Sequence, residues 1–437
     1  MANLPSILDR EKHFKYMEEI SEAALFTNDA IVLGILISIL AAIFYTASSS
    51  NTYWQKFYKF VPALLLCYFI PSLCNSAGLI SGEESNLYFV ASRYLLPSSL
   101  VLLCLSIDLD GILKLGPKAL IMFFAGTVGI IFGGPIAILS VSAFAPDIIG
   151  GSGPDEVWRG LATVAGSWIG GGANQTAMKE IYQASDELFS AMITVDVIVA
   201  NLWMAFLLIG AGMSERIDKV FKGDTSAISS LKQKVADYHA SIARNASLTD
   251  IMIICAIGFG GTAISHLVSD LMTPIMESKK AFLETYRLTS LSSGFFWIVV
   301  TATLLGLVFS FTKLKQYEGA GASKFGSAFL YVLVATIGMK MDITAIFDNI
   351  GLFLVGIIWM LVHVIILLGV AKLIKAPFFF VAVGSQANVG GAASAPIVAS
   401  AFSPSLAPVG VLLAVFGYAV GTFGAIFCAQ LMQVVSP

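Results

Sequence analysis

Long apolar stretches recur along almost the whole chain, with short polar stretches between them. A helix needs about 20 mostly apolar residues to cross a bilayer, and twelve segments approach that length. They lie near residues 30–47, 58–80, 87–107, 117–145, 158–183, 188–212, 250–272, 291–312, 322–340, 348–374, 376–401 and 405–433. The pattern predicts an all-α polytopic membrane protein.

Two of these segments, 158–183 and 376–401, are interrupted by glycine, serine and amide residues. The first contains GSWIGGGANQTA from Gly166, and the second contains GSQANVGGAASAP from Gly384. Inside lipid, an unwound backbone is tolerated only where protein, water or a ligand satisfies its polar groups. We therefore expect one discontinuous helix in each segment. The expected breaks involve Gly166, Gly170, Gly171, Gly172, Gly384, Gly390 and Gly391.

Two polar stretches divide the chain. Residues 1–29 form a polar N-terminal segment, and 213–249 form a linker with a short surface helix near 226–243. The linker separates 30–212 from 250–437, and each half carries six apolar segments and one glycine-serine motif. This layout predicts two structural repeats and is typical of secondary transporters.

The orientation of the repeats stays open at this stage. Twelve full crossings would make the repeats parallel, whereas two re-entrant segments would make them inverted, which we favour. The numbers of lysine and arginine residues on the two sides of the membrane fit both arrangements equally well, and both arrangements place residues 213–249 in the cytoplasm.

Composition narrows the class of protein. Hydrophobic residues make up 57% of the chain and charged residues 12%, about half the charged share of a soluble domain. A soluble enzyme, a disulfide scaffold and a disordered chain are excluded. The net charge of -3 gives no indication of nucleic-acid binding, and no metalloprotease motif indicates an intramembrane enzyme.

The two interruptions supply the candidate substrate site. Half-helix N-termini present N–H groups to anions, half-helix C-termini present carbonyls to cations, and amide and hydroxyl side chains add further partners. The candidate substrate-binding residues are Ser167, Asn174, Gln175, Thr176, Ser385, Gln386, Asn388 and Ser394.

Asp196 is a carboxylate deep inside an apolar segment. Such a residue costs at least about 2.5 kcal/mol on insertion scales and usually binds a cation, takes up a proton or pairs with a base. We expect Asp196 to hold the coupling ion, with a sodium site near it and Asn201 on the flank of the same helix face. The alternative is a structural pair with Arg93. His363, alone on an apolar helix, is expected to make an interhelical hydrogen bond.

The two glycine-serine motifs also carry a family resemblance. Over nearly its full length the chain resembles the uncharacterised YjcL-like membrane proteins, a bacterial family with plastid relatives. That family looks like a distant member of the group of cation–proton antiporters and anion transporters, which includes the bile acid–sodium and glutamate–sodium symporters. The resemblance implies a scaffold domain, a core domain with crossed discontinuous helices, elevator-type alternating access and dimers. Antiporters of that group tend to carry paired acidic residues in the core, whereas Asp196 stands alone deep in its apolar segment here, which favours symport over proton antiport.

These observations together predict a secondary active transporter in the bacterial inner membrane. It would move a small anionic organic solute, coupled to sodium or protons, as a homodimer in the lipid bilayer and with no cofactor besides the ion. One alternative is a cation–proton antiporter without an organic substrate. A third is a channel or a regulator related to the cell wall.

Overall fold

The helices of the protein follow the apolar segments of the sequence. The computed structural model describes residues 24–61, 63–223, 245–285, 289–340, 351–403 and 406–437. Apart from one isolated bridge between Phe26 and Ile80, the regular structure of these residues is helical. Most of the predicted N-terminal segment and linker, including 226–243, lies outside the described residues.

Seven of the described helices are long and apolar enough to cross a membrane, and the number rises to nine if two bent helix pairs each count as one span. This confirms the predicted class, a polytopic helical membrane protein. The seven are Asp29–Ala47, Leu87–Leu105, Pro117–Phe144, Asp186–Gly212, Leu248–Glu277, Gly351–Ile374 and Val409–Val435.

The chain folds into two units. The first unit comprises the described residues within 1–91 and 331–343. It contains α1 (Asp29–Ala47), α2 (Thr52–Phe60) and α3 (Ala63–Ser76). Helix α1 begins with a side-chain cap, since Asn28 Oδ1 accepts from the backbone N–H of Ala30 at 2.9 Å.

The second unit holds every candidate site residue. It comprises the described residues within 92–330 and 344–437. Its helices are α4 (Leu87–Leu105, which begins in the first unit), α5 (Leu109–Lys114), α6 (Pro117–Phe144), α7 (Val157–Gly170), α8 (Gly172–Tyr182), α9 (Asp186–Gly212), α10 (Ser214–Phe221), α11 (Leu248–Glu277), α12 (Lys280–Thr285), α13 (Gly294–Ser310), α14 (Ala322–Gly338, which ends in the first unit), α15 (Gly351–Ile374), α16 (Phe378–Val389), α17 (Gly391–Phe402) and α18 (Ala407–Val435).

Helices α7 and α8 fold back on each other to form hairpin 1. The turn is Gly171, whose φ of 76° and ψ of -174° lie in a region that side chains disfavour. At the open end, Arg159 Nη1 donates to the carbonyl of Tyr182 at 2.6 Å, and the rings of Trp158 and Tyr182 are 5.5 Å apart. The start of α7 therefore lies beside the end of α8.

Helices α16 and α17 form hairpin 2 in the same way. Here the turn lies at Gly390 and Gly391, and Gly391 has a φ of +57°. At the open end, the rings of Phe378 and Phe379 lie 6.0 and 5.3 Å from the ring of Phe402. Both interrupted segments are therefore re-entrant hairpins, and the crossed discontinuous helices implied by the family resemblance are not formed.

The hairpins approach each other from opposite ends of α18. Near the start of α18, Gly410 lies against the backbone of Ala395 in hairpin 2. Further along, the hydroxyl of Tyr182, at the open end of hairpin 1, donates to the carbonyl of Ile426 at 3.3 Å. The tips of the hairpins meet between these points, close to Gly417. A long helix that contacts both hairpins in succession thus fixes their opposed entry.

Candidate functional site

The tips of the two hairpins touch at what we call the tip junction, residues 170–172 and 390–391. A β-carbon built on Gly391 would lie 3.6 Å from the Cα of Gly171. Gly172 begins α8 with open space around it, and Gly170 packs against Gly421 of α18. Glycine is required here because two backbones approach each other and two turns need positive φ.

Two of the glycines predicted at the breaks lie inside helices instead. Gly166 is within α7 and packs against the backbone of Asn174. Gly384 is within α16, where an added β-carbon would lie 3.0 Å from the backbone nitrogen of Phe123. These two glycines allow close helix packing, and the unwinding occurs at Gly171 and Gly390–Gly391.

The tip junction exposes backbone groups of both polarities. A β-carbon on Gly417 would lie 3.1 Å from the carbonyl oxygen of Ile169 and 3.4 Å from that of Ala387. Both carbonyls belong to the last turns of half-helices, and Gly172 begins α8, where the first N–H groups of a helix have no acceptor within it. The junction therefore joins two carbonyl ends, which attract cations, with helix N-termini, which attract anions.

Asp196 ties hairpin 1 to α9. Its carboxylate is buried and accepts three hydrogen bonds, from Ser167 Oγ at 2.6 Å, Trp168 Nε1 at 2.7 Å and Gln175 Nε2 at 2.9 Å. All three donors are neutral, and they come from both arms of the hairpin. A carboxylate offers roughly four lone-pair positions, so about one remains for a further partner.

Asn174 attaches the tip of hairpin 1 to α18. Its Nδ2 donates to the carbonyls of Tyr418 at 3.0 Å and Gly170 at 3.2 Å, and its Oδ1 accepts from Thr422 Oγ1 at 2.6 Å. The amide is fully buried. Its two N–H groups and its oxygen are therefore all used within the protein.

Asn388 attaches the tip of hairpin 2 to α6 with a matching set of bonds. Its Nδ2 donates to the carbonyls of Phe123 at 3.0 Å and Gly384 at 2.9 Å, and its Oδ1 accepts from Thr127 Oγ1 at 2.7 Å. In both hairpins the amide thus binds a carbonyl and the threonine four residues later on one long helix. In this conformation Asn174 and Asn388 hold the tips in place.

Ser385 links hairpin 2 to two further helices. Its Oγ lies 2.8 Å from His363 Nε2 of α15 and accepts from Trp203 Nε1 of α9 at 2.8 Å. His363 is fully buried, and its Nδ1 lies 3.0 Å from the carbonyl of Gly126 in α6. The predicted interhelical hydrogen bond of His363 is thus present.

Gln386 carries an unused acceptor. Its Nε2 donates to Ser394 Oγ across the tip of hairpin 2 at 2.7 Å, and its side chain is 1% exposed. Its Oε1 has no hydrogen-bond partner among the described residues. A buried amide oxygen without a partner costs about 1–3 kcal/mol, so this atom is a favourable contact point for a donor or a cation.

Two of the predicted site residues bond only locally. Thr176 Oγ1 donates to the carbonyl of Gly172 at 3.0 Å, and Asn201 Nδ2 donates to that of Val197 at 2.7 Å. The Thr176 bond ends at Gly172 within its own helix, and neither bond reaches another helix or Asp196.

Arg93 does not form the structural pair with Asp196 that was the alternative to an ion site. Its Nη1 lies 3.2 Å from Glu180 Oε2, and its guanidinium lies 4.5 Å from the ring centre of Phe295. Asp196 is therefore compensated by neutral donors and not by this arginine.

The structure adds four partners that the sequence did not single out, namely Trp168, Trp203, Thr127 and Thr422. Trp168 adjoins Ser167 in the glycine-serine motif, which is a usable signal. The threonines lie more than two hundred residues from their amide partners, as shown by the separation of 261 positions between Thr127 and Asn388. No local pattern marks such pairs.

Fold and site define an integral membrane protein in which two re-entrant hairpins meet tip to tip beside a buried carboxylate. Residues 34–435 match the family described as "Protein of unknown function (DUF819)", and the chain belongs to that family. The chain is also similar to a protein of Bacillus subtilis (strain 168) described as "Uncharacterized membrane protein YjcL". The two are 24% identical over 360 residues, which cover 78% of this chain and 82% of the relative.

Proposed function

We propose that the protein is a secondary active transporter that moves a small anionic organic solute together with sodium or protons. The observation that carries this proposal is the tip junction, where two re-entrant hairpins from opposite ends of α18 meet among buried polar groups. Re-entrant backbone at membrane depth is tolerated where it lines a cavity or binds a ligand.

The polarity of the junction supports an anion accompanied by a cation. The carbonyls of Ile169 and Ala387 and the free Oε1 of Gln386 are acceptors, which suit a cation or a donor group. The N–H groups at the start of α8 suit a carboxylate. A site with both polarities favours symport because each ligand neutralises part of the charge of the other.

The coupling ion is proposed to act through Asp196. In the sodium case, the remaining lone pair of the carboxylate joins backbone carbonyls of hairpin 1 as ligands. In the proton case, protonation turns one oxygen of Asp196 into a hydrogen-bond donor, which changes the hydrogen bonds that this side chain can accept. Movement of the hairpins with the solute, as in an elevator, and assembly as a homodimer in a bacterial inner membrane complete the proposal.

The test is ligand-induced thermal stabilisation of the purified protein across a panel of carboxylates, with and without sodium. A ligand at a concentration of about 100 times its Kd stabilises the folded protein by about 2.7 kcal/mol. We expect at least one carboxylate to raise the melting temperature of the wild type. In Gln386→Leu the same carboxylate should give less than a tenth of that thermal stabilisation. Thr176→Val is the matched control, because its hydroxyl bonds only within its own helix.

Uptake of the same carboxylate into vesicles should follow the same order of variants. If no carboxylate stabilises the protein while sodium or pH alone does, a cation–proton antiporter without organic substrate replaces the proposal. The burial of both Asp196 and His363 is the observation that favours this second candidate. Ion flux that does not saturate would instead indicate a channel. A regulator related to the cell wall would show none of these responses.

A further inference from the structure

His363 is a buried ionisable group beside hairpin 2 that the proposed transport of solute and ion does not involve. It lies on α15 and contacts three other elements, through Gly126 of α6, Ser385 of hairpin 2 and Trp203 of α9. Ser167 of hairpin 1 bonds the acid Asp196, and Ser385, the matching serine of hairpin 2, bonds the base His363. In each hairpin, the serine of the glycine-serine motif therefore hydrogen-bonds to an ionisable side chain of a neighbouring long helix.

The hydrogen-bond partners fix the protons of His363. The carbonyl of Gly126 can only accept, so Nδ1 carries a proton and donates to it. The indole N–H of Trp203 can only donate, so Ser385 Oγ accepts it. The serine proton is then directed to Nε2, which must be the unprotonated nitrogen of a neutral imidazole. In the chain Trp203–Ser385–His363–Gly126, every side-chain donor has an acceptor.

A second proton on His363 conflicts with this chain. Protonated Nε2 would become a donor and would face the hydroxyl proton of Ser385. The serine would have to accept from both His363 and Trp203 and turn its own proton away from the imidazole. The bond between Ser385 and His363 would thereby reverse its direction, and the displaced serine proton would need a new acceptor in a buried site.

The surroundings also offer no opposite charge to an imidazolium. Hairpin 2 has no ionisable residue, and no carboxylate forms an ion pair with His363 among the described residues. The ionisable residues on the elements packed around it are Lys118 on α6, Arg159, Lys179 and Glu180 on hairpin 1, Asp186, Glu187 and Asp196 on α9, and Lys372 on α15. Asp196 is held by donors of hairpin 1. Burial without a counter-charge therefore disfavours the charged histidine in this conformation.

We propose that His363 is a proton-binding site that holds hairpin 2 in the tip-to-tip conformation when neutral and releases it when protonated. A proton that binds better to the released state shifts the population toward that state. The tip-to-tip conformation is therefore stabilised at neutral pH and is lost as pH falls. The inference stands whether or not the proposed solute is transported, because its readout is the mobility of hairpin 2.

The test is hydrogen–deuterium exchange of residues 376–402 in purified protein in lipid nanodiscs, between about pH 5 and 8, where histidine changes its charge. After correction for the intrinsic pH dependence of exchange, we expect protection of hairpin 2 in the wild type to fall by at least tenfold at the acid end. His363→Gln keeps a donor and an acceptor but cannot be protonated, so its protection should not change with pH. His266→Gln is the matched control and should behave as wild type, because His266 bonds the carbonyl of Arg93 instead.

Ser385→Ala is the second variant, in case His363→Gln does not fold. It removes the bond through which His363 holds hairpin 2, so protection of hairpin 2 should already be reduced at neutral pH and should change little with pH. The proposal is overturned if wild-type protection does not depend on pH, if His363→Gln keeps the wild-type dependence, or if His266→Gln abolishes it. Wild-type protection with wild-type pH dependence in Ser385→Ala would equally exclude the role of this serine.

Discussion

Asp196 shows how a carboxylate persists inside an apolar helix without a basic partner. Three neutral donors, from Ser167, Trp168 and Gln175, replace the water that it would bind outside the membrane. Hydrogen bonds to a charged group are worth about 1.5–3 kcal/mol each, so three of them offset much of the burial cost. Asp196 therefore connects both arms of hairpin 1 to α9 and still has capacity for an ion.

Asp196→Asn tests this double role. The amide group of asparagine would present a donor to at least one of the three existing donors, so we expect thermal destabilisation corresponding to about 1–3 kcal/mol. We also expect the dependence of substrate binding on sodium, or on pH if the proton is the coupling ion, to be strongly weakened. Both titrations should be run on wild type and variant. Identical curves for the two proteins would mean that Asp196 has only a structural role.

Each hairpin depends on a single reversal of the chain within one or two glycines. Gly171 reverses hairpin 1, and Gly390 and Gly391 reverse hairpin 2. The buried amides Asn174 and Asn388 then bind each tip to a long helix. Turn and clamp together determine where the polar ends of the half-helices lie.

Substitution of the turn glycine should destabilise hairpin 1 selectively. Gly171→Ala places a side chain at φ 76°, ψ -174°, which costs on the order of 1–3 kcal/mol. Gly172→Ala is the control, because it has negative φ and nothing within 4 Å of an added β-carbon. We expect a lower melting temperature and loss of transport for the first variant only. Equal effects of both variants would show that the conformation of Gly171 is unimportant.

Loss of either amide clamp should abolish transport without preventing membrane insertion. Asn174→Leu and Asn388→Leu each remove three hydrogen bonds, at about 0.5–1.5 kcal/mol per bond. Asn201→Leu serves as the control because its amide bonds only to its own helix. Vesicle uptake and the amount of protein inserted are the two measurements. Unchanged uptake in both clamp variants would place the solute pocket elsewhere.

Over the whole second unit, long helices bring the two hairpins into register. Helix α9 contacts hairpin 1 through Asp196 and hairpin 2 through Trp203, and α18 contacts hairpin 2 at Gly410 and hairpin 1 at Thr422. Both helices are long and apolar enough to cross a membrane, so we expect the two hairpins to enter it from opposite sides.

Thiol labelling from each side of the membrane tests the opposed entry. Ser152 precedes hairpin 1, Lys372 precedes hairpin 2, and both are exposed. In a background in which the five native cysteines are replaced, Ser152→Cys and Lys372→Cys should react with a membrane-impermeant reagent from opposite sides. We expect Lys372→Cys to react from the cytoplasm. Labelling of both positions from the same side would contradict the opposed entry of the hairpins.

The sequence by itself determined the membrane class, the helical segments and the two places where helices are interrupted. These properties are local, because hydropathy over about 20 residues decides insertion and a cluster of glycines decides where a helix ends. Tertiary structure decided the direction of the chain after each break, since glycine permits many directions and only packing against α18 selects reversal. It also decided the partners of Asp196, Asn174, Asn388 and His363, because hydrogen bonds between distant segments leave no pattern in the local sequence. The chemistry of the site was thus visible in the residue types, whereas its connections depended on the fold.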